Sequence, residues 1–192
     1  NALHMFDTLE SDVSLVVAPL FHIGGLNVTT LITWQKGGEV VLHRSFDPGA
    51  CLADIPKYGV TTMFGVPAMF LFMSQHPEFA GADLTSVRTL ICGGAPVPEP
   101  LMKLYNGRGV PIQQGYGLTE TSPSVTFLAA EHGLEKLGSA GKPPTPPTTA
   151  PTGPATSAPP IAPPTAPVVA PLCAFAATRI AMAAKTAAAI KR

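Results

Sequence analysis

Residues 111–120 read Pro-Ile-Gln-Gln-Gly-Tyr-Gly-Leu-Thr-Glu. The apolar start reads as a strand over 111–114, and Gly115 and Gly117 permit a tight turn out of it. Tyr116, Thr119 and Glu120 then place an aromatic ring, a hydroxyl and a carboxylate within five residues. That set suits a site where a flat heterocycle, a phosphate and the phosphate's metal ion meet. A hydroxyl donor and a carboxylate-held Mg2+ both stabilise charge on phosphate oxygens. The plain alternative is a β-turn entering a helix, with Thr119 as its N-cap.

Upstream, strand and helix signals alternate. Residues 13–18 are a short apolar strand candidate, 24–35 a helix and Glu39–Leu42 a strand. Asp47-Pro48 reads as an N-cap followed by proline at the first helical position, and Gly59 stops that helix after Tyr58. Pro56 inside it costs ~3 kcal/mol and predicts an early end or a kink. Residues 60–64 form a β-branched strand candidate, Pro67–Gln75 an apolar helix, 88–92 a strand and 98–106 a helix. The pattern predicts an α/β fold with a mainly parallel sheet and helices on its faces. Ligands in such sheets bind beyond the carboxyl ends of the strands, where residues 93–96 and 115–120 fall.

Gly93-Gly94-Ala95-Pro96 carries no large side chain, so its backbone can lie flat against a ligand ring. Alone it reads as a tight turn. Ala18-Pro19-Leu20-Phe21-His22-Ile23-Gly24-Gly25 is a third element, a strand end with His22 ahead of two glycines. In this order and spacing, together with "VVLHRSFDP", "VTTMFGVPAMF" and "LGSAGKP", these motifs make residues 1–143 resemble the adenylate-forming (AMP-binding) superfamily. The type is acyl-CoA synthetase or fatty-acid–CoA ligase, nearest to bacterial fatty-acyl-CoA and coumarate-CoA-type ligases.

The resemblance implies part of the large N-terminal domain of such an enzyme. It implies ATP-dependent activation of a carboxylic acid as an acyl-adenylate, then thioester formation with CoA, in the cytoplasm. ATP, Mg2+ and CoA are the implied cofactors and co-substrate. Gly93, Gly94, Ala95 and Pro96 would line the adenine and acyl-adenylate. Gln114, Gly115, Tyr116 and Gly117 would continue that wall, with Tyr116 against the adenine. Thr119 would contact phosphate, Glu120 would hold Mg2+, and His22 would be the gate between the ATP side and the acyl tunnel. Arg44 falls near a basic position that touches CoA in some relatives. Gly24 and Gly25, with Phe64, Met69, Phe70 and Phe72, point to an apolar acid. The family's lysine-ending phosphate loop would lie just upstream of Asn1. Its ribose-binding aspartate and small C-terminal domain would follow Pro143. These elements are not in this sequence, which therefore reads as an internal fragment, inactive by itself, with exposed sheet edges that could drive oligomerisation or aggregation.

Twelve Lys and Arg balance twelve Asp and Glu, so no basic footprint for nucleic acid exists. The balance conceals two halves. Every acid lies at or before Glu135, giving −4 through Lys142, whereas residues 143–192 hold four cations and no acid. Of 22 prolines, twelve fall in 143–171, mixed with Ala and Thr, which predicts a disordered or polyproline-like segment. Residues 172–192 are Ala-rich and predict a marginal helix. The expected organisation is a partial AMP-binding domain over 1–142 followed by these two pieces. The acid-free Pro/Ala/Thr text reads as a frameshift product, or as a genuine linker to a partner-binding tail. Cys51, Cys92 and Cys173 lack metal spacing and read as reduced thiols. No apolar run of ~18 residues suggests a transmembrane segment. Two other functions stay open: a non-catalytic remnant or interaction protein using the Pro-rich tail, and a luciferase-like or peptide-synthetase adenylation domain.

Overall fold

The computed structural model describes residues 7–143. The Pro-rich segment, the Ala-rich segment and Cys173 lie outside the described residues. Six strands form one sheet in the order β2-β1-β3-β4-β5-β6. They are β1 (Val13–Val16), β2 (Glu39–Leu42), β3 (Thr62–Gly65), β4 (Thr89–Cys92), β5 (Ile112–Gly117) and β6 (Ser124–Leu128). The first five run parallel, and β6 pairs antiparallel with β5. The expected mainly parallel α/β architecture is therefore present.

Helix α1 is a continuous helical run of three segments, Ile23–Gly25, a π turn over Leu26–Thr30, and Leu31–Lys36. Within that turn the Thr30 hydroxyl donates to Gly25 O at 2.6 Å, five residues back. Helix α2 (Pro48–Tyr58) starts where expected, with the Asp47 carboxylate accepting from Ala50 N at 2.6 Å. It does not end early at Pro56. Proline removes one donor only, toward the preceding turn. Left-handed Gly59, φ 62°, closes the last turn by donating to Ile55 and Pro56 carbonyls. Helices α3 (Pro67–Gln75) and α4 (Glu99–Gly107) complete the α-helices among the described residues.

Alternation along the strands separates two cores. Leu15, Met63, Leu90, Cys92 and Ile112 face α2, α3 and α4 in the larger cluster, which also buries Cys51, Ile55, Phe70, Met73, Leu101 and Tyr105. Phe64 and Ile91 face the other way and meet Val28 and Ile32 of α1, with Ala18 and Phe127 beside them. The base of the sheet is tied by Asp12, which is 1% exposed. Its carboxylate accepts from Leu9 N (2.8 Å), Thr61 Oγ1 (2.8 Å) and Arg88 Nη2 (2.6 Å). One buried charge thereby links the start of β1 to the approaches to β3 and β4, and three donors offset its desolvation.

Sequence reading missed β6 and ended β5 too soon. The glycines of the signature do not turn the chain at Gln114. Gly115 and Gly117 stay in β5 because Phe127 and Ser124 of β6 pair with them, with a register shift between Tyr116 and Gly117.

Burial pushes both Cys51 and Cys92 up to about 12 from 9.0. A raised thiol pKa means the fold favours the neutral form. Its contribution is complete below pH 9 and is lost as pH rises from 9 toward 12. Urea midpoints should thus be level between pH 7 and 8 and fall above pH 9. Peptide mapping after iodoacetamide at pH 8 should find Cys51 and Cys92 unmodified in the native protein and modified in urea. Native-state labelling of either would contradict the buried assignment.

Candidate active site

Because β1, β3, β4 and β5 are parallel, the segments after them share one edge of the sheet. His22 follows β1 and caps α1. Its Nδ1 accepts from Gly24 N at 3.0 Å, which leaves the proton on Nε2. The ring is exposed, and Phe21 beside it is 94% exposed. Gly25 packs so tightly that a Cβ would stand 2.3 Å from Pro19 O.

Phe64, at the end of β3, joins this segment to the next. A Cβ on Gly24 would lie 2.8 Å from Phe64 Cε1, and a Cβ on Gly93 3.6 Å from Phe64 Cε2 and 3.2 Å from Gly115 O. A Cβ on Gly115 would meet the Phe127 ring at 3.4 Å. His22, Gly24, Phe64, Gly93, Gly115 and Phe127 therefore pack in one continuous row, with Gly24, Phe64 and Gly93 buried. The other aromatic side chains expected here do not join it. Phe70 is fully buried beneath α3 in the opposite core, and Phe72 is exposed on that helix. One residue of strand register sends Phe64 to one face, and α3 carries Phe70 to the other. Arg44 is exposed after edge strand β2, which lies on the opposite side of β1 from β3.

Residues 93–96 leave β4 with Gly93 buried, Gly94 in the left-handed region at φ 82°, and Ala95 and Pro96 exposed. Tyr116 is 51% exposed, its ring open to solvent. Gln114 is buried, and both ends of its amide are occupied. Oε1 accepts from Val97 N at 2.9 Å, and Nε2 donates to Ser139 O at 2.7 Å.

Thr119 and Glu120 sit in a 3-10 turn over Thr119–Thr121. Thr121 builds this turn. Its Oγ1 accepts from Leu118 N at 2.9 Å and lies 2.8 Å from Pro123 O. Ser122 takes a left-handed φ of 61°. The Thr119 and Glu120 side chains are exposed and make no hydrogen bond or ion pair among the described residues. No group of three His, Cys, Asp or Glu side chains suited to a metal occurs among those residues. A lone Glu120 fits a Mg2+ that arrives on phosphates, since that ion retains waters and takes one or two protein carboxylates.

A second cluster looks catalytic but is not. Cys51 Sγ lies 4.0 Å from His43 Nδ1, and His43 Nε2 lies 3.0 Å from Asp54 Oδ2. Cys51 is fully buried and its thiol, pushed up to about 12, stays protonated at neutral pH. The row ties the end of β2 to α2.

A mainly parallel sheet with glycine-rich turns at one edge is an arrangement on which α/β enzymes bind nucleotides. The AMP-binding enzyme family matches residues 1–150, and the chain belongs to that family. It is 48% identical over 143 residues to a feruloyl-CoA synthase of Amycolatopsis sp, covering 74% of this chain and 29% of that one. An indoleacetate–CoA ligase of Aromatoleum aromaticum is 37% identical over 142 residues, 74% of this chain and 28% of the relative. Among solved structures, a Mycobacterium tuberculosis fatty acyl CoA synthetase superposes with TM-score 0.69 at 36% identity, over 73% of this chain and 28% of that one. The Bacillus subtilis O-succinylbenzoate coenzyme A synthetase, solved with ATP and magnesium ion, gives 0.65 at 36% identity, over 74% and 29%. The chain spans less than a third of the length of these curated relatives. Among the described residues no helix is long and apolar enough to cross a membrane.

Proposed function

We propose that the chain carries the central part of an acid–CoA ligase site, in which ATP activates a carboxylic acid and CoA then accepts the acyl group. The observation that carries this reading is that the Thr119 and Glu120 side chains, which follow the half-exposed Tyr116 closely in the chain, are exposed and without partners among the described residues. The backbone of Gly93, Gly94, Ala95, Pro96, Gly115 and Gly117 walls the nucleotide, and Tyr116 offers a stacking face. The Thr119 hydroxyl donates to phosphate, and Glu120 holds the magnesium that neutralises phosphate charge. His22, with a protonated Nε2, stands between nucleotide and acyl sides. Phe64 and the glycines around it make the acyl side apolar, which favours an apolar acid. Relatives named as CoA ligases favour this reading over a luciferase-like or peptide-synthetase role.

The organisation that goes with it is a partial adenylation domain over 1–142, a Pro-rich segment over 143–171 and an Ala-rich segment over 172–192, in the cytoplasm. The 192-residue polypeptide, which spans less than a third of its relatives' length, should bind AMP weakly and show no acid-dependent ATP–pyrophosphate exchange. Calorimetry should find AMP binding that falls at least tenfold in Tyr116→Ala. Mg2+ should strengthen ATP binding in the parent but not in Glu120→Ala. Binding indifferent to both substitutions would sink the assignment.

A further inference from the structure

We infer that Gln114 is a positioning residue, which sets the width of the adenine wall without touching the nucleotide. This rests on the site reading above. Val97, whose N–H donates to Gln114 Oε1 at 2.9 Å, directly follows the 93–96 loop and is itself buried. Ser139, whose carbonyl accepts from Gln114 Nε2 at 2.7 Å, lies in the segment that reaches β6. There Lys142 exchanges backbone bonds with Phe127, donating to its carbonyl at 3.1 Å and accepting from its N–H at 2.9 Å. Gln114 belongs to β5 two residues before Tyr116, so its side chain projects from the same face of the strand. One amide therefore sets three backbone segments against one another: the loop on one side of the proposed adenine slot, the strand bearing Tyr116 on the other, and the segment that braces β6. Gln114 is 7% exposed. With its acceptor and one donor taken, the amide is held facing the backbone and away from the slot.

The chemistry demands a primary amide of this length. Glutamate keeps the acceptor for Val97 N–H but sets a second oxygen against Ser139 O. Asparagine is one methylene short. Methionine preserves volume and loses both bonds.

The test compares the 192-residue chain with Gln114→Met and Gln114→Glu, well below their unfolding temperatures. The probes are AMP and purine riboside 5′-monophosphate, which lacks the exocyclic amine. Gln114→Met should weaken both nucleotides by the same factor, at least tenfold, and should speed hydrogen exchange at the Val97 amide. Gln114→Glu should weaken both equally and by less, with Val97 protection retained. It also serves should the methionine variant not fold. A loss confined to AMP would show direct contact with the adenine and overturn the positioning role. Unchanged affinity beside an exposed Val97 amide would reduce Gln114 to a structural bond. If the unsubstituted chain binds neither nucleotide, the site reading itself falls and this role falls with it. That outcome is distinct from binding by the unsubstituted chain that Gln114→Met leaves intact.

Discussion

Alanine at position 117 is expected to dismantle the signature loop and abolish AMP binding. A Cβ on Gly117 would stand 1.6 Å from Pro123 O and 3.1 Å from Ser124 Cα. Both are backbone atoms, so no side-chain rotation relieves the clash. Gly117 also sits where the β5–β6 register shifts, and β6 would have to move off the sheet edge. Overpacking in well-filled interiors costs about 1–3 kcal/mol, and a backbone clash lies at the top of that range or above it. The displaced segment includes Thr119, Glu120 and Thr121, so binding should be lost beyond the loss of stability. Urea unfolding and calorimetry report the two effects separately. Gly107→Ala is the contrasting control, since a Cβ there meets nothing within 4 Å at the end of α4. It should be neutral or stabilise by a few tenths of a kcal/mol. A Gly117→Ala chain that binds AMP like its parent would contradict the β5–β6 arrangement.

Tyr105→Ala should produce the largest global loss, about 4 kcal/mol. Tyr105 is 1% exposed and stands edge-on to Phe70 and Phe79, with ring centroids at 5.7 and 5.3 Å. Its hydroxyl donates to Phe70 O at 2.9 Å. Arg108, stacked 5.1 Å over Phe79, donates to the carbonyls of Phe79, Ala80 and Ala82 and holds the wall of that cavity in place. Such a cavity collapses poorly, which raises the cost. Tyr105→Phe removes only the hydrogen bond and should cost about 1 kcal/mol. Against a typical domain stability of about 5–15 kcal/mol, the alanine variant should have a much lower urea midpoint and the phenylalanine variant a slightly lower one. Equal losses for the two would show that the hydroxyl, not the ring, carries Tyr105's contribution.

Most elements of the sheet and its helices were legible in the chain because their signals are local. Asp47, Pro48 and Gly59 mark α2 at both ends, and Glu39–Leu42 and Pro67–Gln75 match their expected spans. The antiparallel strand β6 is not marked by a local signal of its own ends, although Ser124–Leu128 carries the β-branched and aromatic content of a strand. Its pairing depends on Gly115 and Gly117, which read as turn residues when taken alone. Pro56 misled for the opposite reason. Its penalty is real, but it falls in the last turn, where Gly59 closes the helix.

The same division holds at the site. Residue type and order pointed to the family, and the resemblance made His22, residues 93–96, Tyr116, Thr119 and Glu120 the candidates for its site. Which of them face one another was settled only in three dimensions. Phe64 meets Gly24 and Gly93 across two strand ends. Phe70, six residues on, turns into the opposite core. Gln114 reads from its neighbours as part of the nucleotide wall, but its amide is taken by Val97 and Ser139, 17 and 25 residues away in sequence. Composition and spacing report what a side chain can do. Parallel pairing and strand parity decide which partner it has, since hydrogen bonds and packing depend on distance in space and not along the chain.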